Sequence, residues 1–177
     1  IHSPDARDAL RLLSTREFDL VITMTRVGEM DVKAFGTEAK RVIKGLPVVM
    51  LSHNTRELAT LSAGDGIDRI FVWTGDSRIL LSICKLIEDE RNVENDVRDG
   101  DVQVILLVED SRRFYSAYLP LLYTQLVNQT TRLMGEGGNL HEKLLRLRAR
   151  AKILLASDMN SAKSVIDRYH NNIIGIF

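Results

Sequence analysis

The sequence predicts an α/β protein built on a doubly wound parallel sheet. Short apolar runs rich in β-branched residues recur along the chain, amphipathic stretches separate them, and the two kinds alternate. Strands followed repeatedly by helices imply right-handed crossovers. A helix at 5–15 opens on a capping aspartate, Asp5, and leads into a strand at 18–23 (FDLVIT). A helix at 31–44 precedes the strand at 47–52 (PVVMLS). A helix at 55–63 and the turn Gly64-Asp65-Gly66 lead to the strand at 68–73 (DRIFVW), and a helix at 77–90 follows.

Residues 91–101 (RNVENDVRDGD) are polar, charged and almost free of large apolar side chains, which reads as a helix tail and a linker. The expected organisation is a first module at 1–92, a linker at 93–101 and a second module at 102–177. The second module has strands at 102–108 (VQVILLV), 152–156 (KILLA) and 172–177 (NIIGIF), with helices at 112–133, 140–149 and 159–169. Proline has no N–H and clashes in a helix interior, so Pro120 is expected to kink or break the first of these helices. Residues 5–24 and 158–177 also form a weak repeat: a capping Asp5 or Asp158, a small Ala9 or Ala162, an apolar pair, then a strand.

The composition is that of an ordinary globular protein, with 45% apolar and 27% charged residues and a formal net charge of +0. Nothing in that balance steers the chain to nucleic acid or to an anionic membrane. A lone cysteine, Cys84, excludes an internal disulfide and a Cys-rich zinc site, which fits a cytoplasmic protein. No apolar run approaches the roughly 20 residues that cross a bilayer. The start at Ile1 and the stop at Phe177 inside an apolar run both look cut, so flanking sequence is expected on each side.

Residues 18–31 (FDLVITMTRVGEMD) resemble the third strand and following loop of a response-regulator receiver. Asp19 aligns with the opening aspartate, Glu29-Met30-Asp31 with the loop, and Met24 with the phosphoacceptor. LPVVMLSHN is similar to the next receiver strand, with Ser52 at the switch hydroxyl. GIDRIFVWTG is similar to the one after, with Trp73 at the lysine position and Thr74 at the proline. VILLVEDS resembles a receiver's first strand and its magnesium-holding acidic pair, here Glu109 and Asp110. The resemblance implies a flavodoxin-like sheet in two incomplete receiver-type modules, the first a pseudo-receiver without its first strand, the second cut before its acceptor aspartate. A narrower likeness, carried by VEDSRRFYSAYLPLLYTQLV, LRLRARAKILLA and IDRIFVWTGDSRILLSICKLIEDERN, is to the receiver-like region of phosphoenolpyruvate synthase/pyruvate phosphate dikinase-type proteins. It implies that ATP-binding and phosphohistidine machinery lies elsewhere in a longer protein.

The residue chemistry bears on these positions independently. Phosphoryl transfer to a receiver needs carboxylates for a hard cation and a carboxylate nucleophile. A thioether at Met24 supplies neither, and Trp73 brings no cation. Both read as packing residues, with Trp73 alternatively anchoring a partner. Ser52 reads as a strand-end serine or a residual switch hydroxyl, and His53 as a loop histidine. Glu109 and Asp110 repel one another at the end of an apolar strand; a Mg2+ ion or a helix start suits them.

Other motifs are weaker. Gly135-Glu136-Gly137-Gly138 lacks the Gly-Lys-Ser/Thr ending of a phosphate loop, His141 in LHEKL only faintly echoes a histidine-kinase box, and no strand leads into G-x-G-x-x-G. Lys143, Arg146, Arg148, Arg150 and Lys152 form a basic rim with only Glu142 nearby, read as a solvated face or as a docking surface for an acidic partner.

The chain is therefore expected to be a regulatory region of phosphorelay signalling and no enzyme itself, partnered by other domains of its own protein or by a sensor kinase. The alternatives are regulation of an attached ATP-dependent phosphotransferase, or purely structural docking or dimerisation. Unpaired central strands predict either a composite sheet within the chain or a homodimer or strand-swapped oligomer.

Overall fold

The computed structural model describes residues 1–53, 63–64, 66–135 and 150–177, the side chains of 133–135 excepted. The helices expected at 55–63 and 140–149, most of the glycine run, His141, Lys143, Arg146 and Arg148 lie outside the described residues. The protein is α/β with parallel sheets, and divides into two compact units, Ile1–Asp76 and Ser77–Phe177.

In the first unit, α1 (Ala6–Thr15) starts where the Asp5 carboxylate accepts the Arg7 N–H at 2.9 Å, which satisfies one of the amides left over at a helix start. Then follow β1 (Val21–Met24), a small antiparallel hairpin of β2 (Arg26–Val27) and β3 (Met30–Asp31), α2 (Val32–Val42), β4 (Val48–Ser52) and β5 (Arg69–Val72). The sheet order is β1-β4-β5, all parallel, with Met24 opposite Leu51 and Ser52 opposite Val72. Every residue of β4 is buried, as a central parallel strand requires. Leu13 of α1 and Val32 and Ala39 of α2 close the core with Leu46, Val48, Met50, Ile67 and Ile70. Gly36 of α2 lets that helix approach the turn at Gly66: a Cβ on Gly36 would stand 2.6 Å from the Gly66 carbonyl oxygen.

The second unit opens with α3 (Arg78–Gly100), followed by β6 (Val104–Val108), α4 (Arg112–Gly135), β7 (Lys152–Ala156), α5 (Met159–Tyr169) and β8 (Ile173–Ile176). Its order is β7-β6-β8, again all parallel, with a register irregularity in β8 opposite Val104 and Ile105. Val93 and Val97 of α3 pack with Ala162, Val165, Ile166 and Tyr169 of α5 and with Val104, Leu106, Leu154 and Ala156 of the strands. Asp158 caps α5 at the Asn160 and Ser161 amides, so both aspartates of the weak repeat do the same work before a helix and a strand.

The stretch expected to be a linker, 93–101, is helical up to Gly100 as the last turns of α3, and the two compact units divide between Asp76 and Ser77. Two valines one turn apart, Val93 and Val97, give that polar stretch enough of an apolar stripe to seat it on a core. Of the kink or break expected at Pro120, the break is absent, since α4 is continuous from Arg112 to Gly135. The flanking Tyr115, Leu119 and Tyr123 are buried, and Ser116 and Thr124 hydroxyls bond the Arg112 and Pro120 carbonyls, each at 2.5 Å. Among the described residues the strands form two three-stranded sheets, one in each unit, each with its own core cluster. β2 and β3 were not legible as strands, being two residues each around a left-handed Gly28 (φ 63°).

Candidate functional site

Parallel strands end on one side, so the parallel register brings Met24, Ser52 and Trp73 to the carboxyl rim of the first sheet. Met24 is the last residue of β1, with 38% of its surface exposed. Ser52 ends β4 fully buried, and its carbonyl accepts the Trp73 N–H at 2.9 Å. The indole of Trp73 stands edge-on to His53, ring centroids 6.2 Å apart, so the expected loop histidine lines the same corner. Thr74 is exposed just beyond. The nearby Asp31 carboxylate is committed to the Lys33 and Ala34 amides at the start of α2. This rim presents sulfur, a buried hydroxyl and two aromatic rings.

At the second rim, β6 is central and delivers Glu109 and Asp110 directly past its carboxyl end. The Glu109 N–H is tied to the Ala156 carbonyl at 2.9 Å, continuing the ladder, while its Oε1 accepts the N–H of Ser111, the residue directly before α4, at 2.9 Å. One carboxylate oxygen of Glu109 thus serves the start of α4. Asp110 is exposed. Asp158, beyond β7, is turned into its own helix. Its carboxyl is held below the ordinary aspartate range by the Ser161 hydroxyl first and the Ser161 amide next. Among the described residues, no group of three His, Cys, Asp or Glu side chains is arranged to hold a metal ion. Magnesium keeps several waters and takes one or two carboxylates, so the hard oxygens of Glu109 and Asp110 fit its donor chemistry as a partial site.

A third cluster was missed from the sequence. Asp89 of α3 is fully buried, and its carboxylate accepts four hydrogen bonds from three residues. Arg150 grips it with both terminal nitrogens, at 2.6 and 3.0 Å; the Tyr123 hydroxyl donates at 3.0 Å and the Ile153 N–H at 3.0 Å. Lys152, also buried, lies 3.8 Å away and bonds Asp96 at 2.7 Å. Burial, then the charge and hydrogen bond of Asp89, push the Tyr123 hydroxyl well above its ordinary value. For Arg150 burial opposes the charge, but the bonds to Asp89 prevail and the guanidinium is more firmly protonated than usual. The basic rim is thus corrected at Arg150 and Lys152, which are buried ion-pair partners and no solvated face. The legible signal was a carboxylate on the stripe Ser82, Leu86, Asp89, Val93, otherwise uncharged and buried.

Beside this clamp opens a cavity of about 620 Å³, reached by Lys85, Glu88, Asp96, Arg150 and Lys152. Each of its three cations already faces a carboxylate, so it offers no unpaired charge to an anion. No described helix is long and apolar enough to cross a membrane. Comparison of the chain with family models, with curated proteins and with solved structures returned no match.

Proposed function

We propose that the chain is a regulatory region of phosphorelay-type signal transduction, in which the first unit is a pseudo-receiver and the second a magnesium-dependent receiver-like unit. Its partners would be other domains of the same protein or a sensor kinase. Two features support a flavodoxin-like origin for both units. In the strand order 2-1-3-4-5, the last three strands lie as 3-4-5 and the first three as 2-1-3. The order β1-β4-β5 has the first arrangement and β7-β6-β8 the second.

The observation that carries the reading is the position of the acidic pair. The chain leaves β6 towards β7 and then returns across it to β8, so the strand order reverses at β6. Ligands of open parallel sheets bind outside the carboxyl ends at such a reversal, and Glu109 and Asp110 follow β6 at that end. There the two carboxylates would hold Mg2+, which neutralises and orients phosphoryl oxygens when bound. The first rim supports a silent role, since a thioether at Met24 cannot form an acyl phosphate. At the carboxyl end of β8 stands Phe177, which is no nucleophile either.

Magnesium titration of the whole chain, followed by backbone amide NMR shifts, tests this. Saturable shifts at Glu109, Asp110 and Ser111 are expected in millimolar Mg2+, and Asp110→Asn should abolish them. Amides that stay put, or that move equally in the variant, would remove the basis of the proposal.

A further inference from the structure

We draw no further inference here: the strongest candidate, the outward stripe of α4 on which the stacked rings of Phe114 and Tyr118 and the side chain of Leu121 are exposed, is an apolar helix face, and nothing in the structure shows what covers it.

Discussion

Replacing Asp89 by alanine should be the most damaging single change in the second unit, and the structure sets its size. The substitution strands the Arg150 guanidinium, whose side chain is only 8% exposed, and removes the acceptor of the Ile153 N–H and the Tyr123 hydroxyl. Removing one partner of a buried ion pair costs about 3–5 kcal/mol, largely because the other charge is left uncompensated. The two neutral donors lose an acceptor in the same site, and the three losses share one desolvated volume, so they do not add in full. We therefore expect a loss of about 4 kcal/mol for Asp89→Ala, against a total stability on the order of 5–15 kcal/mol. Asp89→Asn keeps an oxygen for one or two donors and should lose about half as much. Asp89→Leu combined with Arg150→Met removes the stranded charge and should recover about 2 kcal/mol of the alanine loss, leaving the two neutral donors unsatisfied. Urea unfolding followed by circular dichroism measures these differences, and exchange of the Ile153 amide reports the lost bond directly. An Asp89→Ala chain within about 1 kcal/mol of wild type, or an Ile153 amide with unchanged protection, would show that the clamp is not what holds α3, α4 and β7 together.

Two further outcomes follow from other contacts. The Tyr123 hydroxyl is raised in the folded protein, so its contribution is fully present below the unfolded tyrosine value of about 10 and is lost as pH rises through the folded value. Tyr123→Phe should accordingly be less stable than wild type at neutral pH yet lose less stability on going above pH ~10, read from urea midpoints across that range. Gly36→Ala drives a methyl group against the Gly66 backbone and should cost about 1–3 kcal/mol in the first unit, despite the better helix propensity of alanine. The change in Trp73 fluorescence midpoint during denaturation is its measure, and an unchanged or raised midpoint would contradict it.

Much of the fold could be read from local pattern, and the reason lies in burial. β4, β6 and β7 are short apolar runs because a parallel strand loses water on both faces, and that leaves a contiguous mark in sequence. Asp5 and Asp158 were readable because a capping interaction spans only two or three residues. Long-range contacts leave no such mark. Asp89 meets Arg150 across 61 residues, so the acid in α3 and the bases before β7 each read as ordinary surface charge. Val93 and Val97 were outweighed by the charges around them, although two side chains were sufficient to keep α3 helical. At the candidate rims, the ends of β1, β4, β5 and β6 fixed the positions of Met24, Ser52, Trp73, Glu109 and Asp110. The Glu109 bond to Ser111 and the His53–Trp73 contact depended on side-chain directions that spacing does not encode.

The seal that α3 places over β7 also governs how the chain would fail. While Asp89 holds the Ile153 amide, that margin of the second sheet is closed to a further strand. If heat or alkali releases the helix, the outward edge of β7 is bared and becomes adhesive to strands of other copies. Turbidity on warming should then begin with helix release rather than with melting of the strands themselves.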